Sequence, residues 1–120
     1  MVFNDRSPDS GRLLRKNLVI CQVEEGAQIL ALDVFVLFRT FRGAPPDFVF
    51  LDPPYDFGRH DKLLRKLAAS DMLGRQTVVI LEAFKKMELD ECPSPLEKVR
   101  VVDSGDSRLF FLKTASRQTP

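Results

Sequence analysis

Residues 48–55 read FVFLDPPY, and this stretch decides the fold class. Its four apolar residues, Phe48–Leu51, are typical of a strand whose two faces are covered by helices, so we expect a central strand. Asp52 and the two prolines after it end the strand, because proline has no N–H to donate to a sheet. Short apolar strands alternate with helix-length segments along the chain, and this alternation predicts an α/β fold with a parallel sheet and crossover helices.

Two strand and helix pairs are predicted before this stretch. Residues 2–3 predict a short strand, and Ser7 followed by Pro8 is typical of a helix start, so a helix is expected to about Cys21 with Leu14, Leu18 and Cys21 in its apolar stripe. Residues 27–32 predict a strand ended by Asp33. A helix with an apolar stripe follows, formed by Val34, Leu37, Phe38 and Phe41. One long strand through Phe38 is the alternative.

The second half of the chain predicts a helix, a strand and a hairpin. The helix covers residues 60–73, stops at Gly74 and turns Leu63, Leu64, Leu67 and Met72 inward. A strand at residues 77–81 is ended by Glu82. Residues 98–102 and 109–113 flank a turn-rich pentapeptide, so an antiparallel hairpin is expected to close the domain.

Composition limits the class of protein. The chain has 120 residues, which predicts one domain, and 44% of them are hydrophobic and 29% charged, as in ordinary globular proteins. The net charge of +1 excludes binding to nucleic acid through bulk charge. No apolar run approaches the roughly 20 residues of a membrane helix, and the first ten residues do not resemble a signal peptide, so a cytoplasmic protein is expected. Cys21 and Cys92 lack partners at metal-ligand spacing and predict plain thiols, without a metal.

The tetrapeptide at residues 52–55 carries the chemistry. It follows a strand at the carboxyl edge, where open α/β sheets bind ligands. Pro53 and Pro54 hold the loop rigid with its carbonyls available. The Asp52 carboxylate and a proline carbonyl suit the two hydrogens of an exocyclic amine, and Tyr55 suits stacking on the ring. The alternative is a plain turn after a strand.

The tetrapeptide is similar to motif IV of the S-adenosylmethionine-dependent amino-methyltransferases that act on nucleic-acid bases. With Arg15, Lys16, Asn17 and Leu18 upstream and residues 77–82 downstream, the chain most resembles the RsmD-type methyltransferases of bacterial 16S ribosomal RNA. The resemblance implies a Rossmann-like sheet with helices on both faces, and methylation of guanine N2. It also implies ribosomal RNA or a small-subunit assembly particle as the partner.

The resemblance assigns roles to individual residues. Asp52, Pro53 and Tyr55 match the target-amine site, with Pro54 as a rigid spacer. Asp5 matches the acid that binds the cofactor's ribose, and Asp33 the acid near its adenine. For both acids, a helix cap or a solvated loop residue is the alternative. Glu82 lies where relatives also carry an acid, and no role is assigned to it.

Several polar residues near the motif have a structural or solvated role as an alternative to a functional one. Asn17 is expected to support structure, and His60 to be solvated rather than a general base. The basic residues Arg59, Lys62, Arg65 and Lys66 suit either contact with RNA phosphates or the solvated face of a helix.

The chain departs from the family in one respect. Its relatives open with a strand and a glycine-rich loop that wraps the methionine end of the cofactor, and neither Gly11 nor Gly26 supplies this motif I. In the family's sheet the missing strand lies between the second and the fourth, so the strand Phe48–Leu51 is left with an unpaired edge. The explanations left open are a truncated reading frame, a piece of a longer protein, and a chain that repairs its sheet by dimerising or rearranging. Weak or absent cofactor binding is therefore expected of this chain alone.

Two other functions stay open beside the methylation of RNA. A DNA adenine or cytosine amino-methyltransferase uses the same tetrapeptide, although no segment for recognising DNA is evident. The other is an inactive remnant that keeps the fold without the cofactor loop.

Overall fold

The structure is a computed structural model that describes residues 2–5, 7–21, 28–30, 32–53, 59–89 and 91–115. The chain divides into two compact units, Met1–Thr40 and Phe41–Pro120. Each unit contains strands and helices, so the predicted α/β class is confirmed. That the whole chain forms one methyltransferase domain stays a prediction.

The first unit contains two parallel strands and two helices. Strand β1 (Val2–Asn4) pairs with β2 (Gln28–Leu30), and helix α1 (Pro8–Ile20) joins them. The predicted helix start is confirmed, because the Ser7 side chain accepts a hydrogen bond from the Ser10 N–H and Pro8 is the first helical residue. The predicted stripe is correct at Leu18, which is buried, and wrong at Cys21, which is exposed because it follows the last turn of the helix.

Helix α2 (Val34–Thr40) follows β2, so the alternative of one long strand through Phe38 is wrong. Its Leu37 and Phe38 are buried, as their spacing predicts. The strand predicted at residues 27–32 is present at Gln28–Leu30, and its positions 27 and 31 lie outside the described residues.

The second unit is built on one mixed sheet of four strands. They are β3 (Phe48–Leu51), β4 (Val78–Phe84), β5 (Leu96–Ser104) and β6 (Ser107–Thr114), in the order β3-β4-β6-β5. Strands β3 and β4 are parallel and are connected through helix α3 (His60–Ala68), whereas β6 is antiparallel to both β4 and β5. The predicted closing hairpin is confirmed, and Gly105 in its turn has a φ of 58°, which favours glycine.

One face of this sheet is continuous and buried. Leu51 lies opposite Leu81, and Leu81 lies opposite Phe110, and all three side chains are buried. Val79 and Leu112 form a second buried row. Helix α3 adds three buried leucines, Leu63, Leu64 and Leu67, which the helical period predicts. This face is therefore the core side of the unit.

The prediction that β3 is central is wrong for this sheet. Among the described residues β3 pairs with β4 alone, so it is an edge strand, as the absence of a strand between the second and the fourth predicts. Phe48 is 68% exposed and Phe50 is 57% exposed, while Val49 and Leu51 are buried. An apolar run therefore does not by itself establish cover on both faces, because a strand can keep apolar residues on an open face.

Two predicted boundaries are also wrong. Helix α3 ends at Ala68, five residues earlier than expected, because the Ser70 N–H and hydroxyl both donate to the Leu67 carbonyl and form a turn. Met72 consequently lies beyond the helix and is half-buried. Strand β4 does not end at Glu82 but runs on to Phe84, because β6 continues to pair with it as far as Ser107.

The turn before β4 is held by a buried hydroxyl. Thr77 is 2% exposed, and its Oγ1 donates to the Pro46 carbonyl at 2.7 Å and accepts from the Gly74 N–H at 3.0 Å. A Cβ added at Gly74 would lie 2.7 Å from the Pro45 Cβ. Glycine at position 74 thus permits a close approach of two segments, and it does not end the helix as predicted.

Candidate functional site

Asp52 lies directly after β3, at the carboxyl end of the parallel pair β3 and β4. Its side chain is exposed, and Pro53 beside it is half-buried. Side chains alternate along a strand, so Asp52 continues the exposed row of Phe48 and Phe50 rather than the buried row. The carboxylate thus stands at the edge where the sequence predicts the target amine. Pro54 and Tyr55 lie outside the described residues, and their roles stay predictions.

Glu82 is the neighbour of Asp52 on the next strand. Leu51 is paired with Leu81, so the following residues of the two parallel strands, Asp52 and Glu82, come side by side. Partial burial raises the pKa of Glu82 above its ordinary value. The negative charge of Asp52 and a hydrogen bond to its side chain add smaller contributions in the same direction.

From the sequence alone, Glu82 is an acid without an assigned function. A usable signal was present, since an acid follows the apolar core of each of two strands, FVFL-D and VVIL-E. The parallel register of those strands brings the two acids together, and only the structure supplies that register.

Asp5 is exposed and follows β1. Its N–H donates to the Leu30 carbonyl at 3.0 Å, and its Oδ1 accepts from the Ser7 N–H at 2.8 Å. Asn4 supports the same edge, because its side-chain amide donates to the Leu32 carbonyl and accepts from the Leu32 N–H, both at 3.1 Å. The sequence analysis missed this role of Asn4. Asp5 therefore stands at the carboxyl end of the β1 and β2 pair.

Asp33 immediately precedes helix α2 and is half-buried. Its Oδ1 accepts from the Phe35 N–H at 2.9 Å, and its backbone carbonyl accepts from the Leu37 N–H at 3.0 Å. This is the helix-cap geometry that the sequence analysis held as the alternative for this acid. Asp5 and Asp33 follow neighbouring parallel strands, so both belong to the same edge of the two-stranded sheet.

The remaining polar candidates lie on helices α1 and α3 or directly before α3. Asn17 is exposed, and its backbone carbonyl accepts the hydrogen bond from Cys21 that ends α1. His60 is the first residue of α3, and partial burial lowers its pKa, with Asp61 opposing that shift. On α3 and just before it, Arg59, Arg65 and Lys66 are exposed and Lys62 is half-buried.

An open polar pocket lies at the other end of β4. Arg75 and Gln76 precede this strand, and they line the pocket with Glu97, Lys113 and Thr114. Lys113 is paired with Val78, the first residue of β4, whereas Glu82 is the fifth. This pocket is therefore not part of the site around Asp52.

The described residues contain no group of three or more side chains suited to hold a metal ion. Nor do they include a helix with the length and hydropathy needed to cross a membrane. Cys21 and Cys92 are free, and burial raises the pKa of the Cys92 thiol.

A match to a family profile establishes the protein family of the chain. The profile described as "Conserved hypothetical protein 95", an RsmD-like family, matches residues 1–113. The chain belongs to this family. The family and its structural neighbours are methyltransferases, so by family this protein is an enzyme of that class. No curated protein sequence matches the chain.

Solved structures share the fold of this family member. A conserved hypothetical protein of Streptococcus pyogenes has a TM-score of 0.86 at 21% identity, and the match covers 95% of this chain and 71% of that one. A methylase-like protein of Haemophilus influenzae has a TM-score of 0.78 at 20% identity, with 96% and 72% covered. TrmN from Thermus thermophilus has a TM-score of 0.73 at 19% identity, with 95% and 36% covered. These likenesses support the Rossmann-like fold that the sequence predicts.

Proposed function

We propose that this protein transfers a methyl group from S-adenosylmethionine to the exocyclic N2 amine of a guanine in 16S ribosomal RNA. The observation that carries the proposal is the exposed Asp52 carboxylate, followed by Pro53, at the carboxyl end of a parallel strand. Membership of the RsmD-like family supports the same reaction. The proposal extends to Pro54 and Tyr55 through the tetrapeptide they complete.

In the proposed site Asp52 and Pro53 hold the amine. The carboxylate and the Pro53 carbonyl accept its two hydrogens, which turns the nitrogen lone pair toward the incoming methyl group. Pro54 keeps the loop rigid and Tyr55 stacks on the base. Bound cofactor supplies an electrophilic methyl group on a sulfonium. Because reactants held in line gain most of their rate from orientation, positioning is the main contribution of these residues.

The cofactor-binding part of the proposal concerns Asp5 and Asp33. Both are carboxylates at one edge of the β1 and β2 sheet, and ribose hydroxyls and an adenine amine are hydrogen-bond donors that suit them. Asp5 is exposed, which fits contact with a ligand. Asp33 already accepts from the Phe35 N–H, and a carboxylate has further acceptor capacity beyond one bond.

The proposed partner is small-subunit ribosomal RNA or an assembly particle that contains it. The net charge is only +1, so RNA contact must be local, and α3 with the residue before it offers three exposed cations, Arg59, Arg65 and Lys66. A solvated helix face remains the alternative for this basic group. Because bacterial ribosomes assemble in the cytoplasm, we propose a cytoplasmic protein.

The test is methyl transfer from labelled cofactor to small-subunit RNA and to duplex DNA, at high cofactor concentration. Asp52→Ala is compared with Asp47→Ala, since these exposed acids stand immediately after and immediately before β3. We expect transfer to RNA, lowered about 100-fold by Asp52→Ala because the amine loses its orientation, and unchanged by Asp47→Ala.

Each other outcome contradicts a defined part of the proposal. Equal rates in the two variants would remove Asp52 from the site. Transfer to DNA but not to RNA would establish the DNA amino-methyltransferase, and no transfer to either substrate would favour an inactive remnant.

A further inference from the structure

Asp52 and Glu82 form a carboxyl pair on the open face of the sheet. By strand alternation Glu82 shares its face with Ile80, and Asp52 shares the same face with Phe50. Ile80 and Phe50 are paired residues of the two strands, so both carboxyl groups project from one side of the sheet. Asp52 is exposed and Glu82 is half-buried, so the pair is open to solvent and to a ligand.

No described cation neutralises this pair. On the β3 side Glu82 faces Asp52, and on the β6 side it lies opposite the uncharged Leu109. The nearest charged residue of β6 is Arg108, opposite Ala83 and thus on the other face, where it bonds to Asp103 and the Met87 carbonyl. Glu82 therefore has an acid and no described cation beside it, which favours its protonated form.

We infer that Glu82 is the residue to which Asp52 passes the proton that the target amine loses during methyl transfer. The inference rests on the proposed function and deepens it. As the amine nitrogen bonds to the methyl carbon, the carbon–sulfur bond breaks and its electron pair stays on sulfur. The N–H proton moves to the Asp52 carboxylate, from there to the Glu82 carboxylate beside it, and finally to water.

Geometry explains why a second carboxyl group helps. A base held against Asp52 covers that carboxylate from water, whereas Glu82 stands one strand away, half-buried, and gives the proton a second acceptor beside the first. The raised pKa of Glu82 also brings its proton affinity closer to neutral pH, which favours proton acceptance by a general base.

The experiment measures kcat and kcat/KM for RNA from about pH 5 to about pH 9. It compares wild type with Glu82→Gln, whose amide donates to Asp52 but accepts no proton. Glu82→Ala removes both functions, and Glu97→Gln changes an exposed glutamate of β5 as the matched control. Circular dichroism and KM for RNA report whether the variants keep their fold and their substrate binding.

We expect wild-type activity to fall at acid pH as Glu82 becomes protonated. Both Glu82 variants should lower kcat about 10-fold and lose that acid limb, while Glu97→Gln matches wild type. If Glu82→Gln restores wild-type kcat and pH dependence while Glu82→Ala does not, Glu82 only orients Asp52 and the inference is overturned. Wild-type behaviour of both variants overturns it as well. If wild type itself transfers no methyl group to RNA, the proposed function fails and takes the inference with it.

Discussion

Two carboxyl groups of this protein have pKa values displaced in opposite directions. Partial burial and the neighbouring Asp52 raise the pKa of Glu82, whereas the hydrogen bond from Arg108 lowers the pKa of Asp103. The Arg108 Nε donates to Asp103 Oδ1 at 2.7 Å. Burial and an acid neighbour act in the same direction on Glu82, whereas a cation partner sets the direction at Asp103.

These opposite shifts predict opposite effects on stability. The folded state binds a proton at Glu82 more tightly than the unfolded state does, so this residue lowers the free energy of unfolding as pH rises from about 4.5 through its raised pKa. Glu82→Gln should therefore lose less stability than wild type between about pH 4 and about pH 7. Asp103 stabilises the folded state above about pH 3.8. This contribution disappears as the pH falls through the lowered pKa of Asp103.

Urea unfolding of wild type, Glu82→Gln and Asp103→Asn across that range measures both effects. Asp103→Asn should be less stable than wild type near neutral pH and approach it in acid. Parallel stability curves for wild type and Glu82→Gln would show that the carboxyl pair does not bind a proton preferentially in the folded state.

For helix α3, the buried face was predictable from the sequence and the end of the helix was not. The spacing of Leu63, Leu64 and Leu67 predicts the buried side of this helix correctly, because the helical period alone places them on one face. The end of the helix was not predictable in this way. The Ser70 N–H and hydroxyl donate to the Leu67 carbonyl, and these bonds compete with continuation of the helix. Whether they form depends on the folded conformation of the chain and not on residue spacing.

The buried stripe of α3 predicts a large effect of truncation. Leu64 is 0% exposed, so Leu64→Ala should lower the free energy of unfolding by about 2–5 kcal/mol through lost burial and a cavity. Leu13→Ala is the control, since Leu13 of α1 is 61% exposed, and its cost should stay below about 1 kcal/mol. Denaturant unfolding checks both values. Equal small losses in the two variants would mean that α3 does not contribute to the cooperative core.

At the level of the whole molecule, the described strands form two separate sheets. Strands β1 and β2 pair in the first unit, and β3 to β6 pair in the second. The chain covers 71% of the Streptococcus pyogenes protein and 36% of TrmN, so its relatives contain segments beyond the matched region.

The spacing of the glycines along the chain bears on cofactor binding. The six glycines of the chain are widely separated, so residues 1–120 contain no glycine-rich loop for the methionine end of S-adenosylmethionine, and Asp5 and Asp33 are the anchors that we propose. We expect calorimetric titration of this chain to give weak binding or none. Asp5→Ala should weaken any signal further, whereas Asp47→Ala should not. A dissociation constant in the low micromolar range would contradict the prediction.

The amino-acid sequence by itself determined the α/β class, the helix start at Ser7 and Pro8, the buried leucines of α3 and the candidate tetrapeptide at residues 52–55. These features depend on periodicity, capping and turn chemistry, which act over a few neighbouring residues. Tertiary structure alone decided that Phe48 and Phe50 of β3 are exposed, that Thr77 holds a turn through a carbonyl 31 residues away, and that Glu82 stands beside Asp52. Each of these depends on strand register or on the meeting of distant segments, and local spacing carries no information about either.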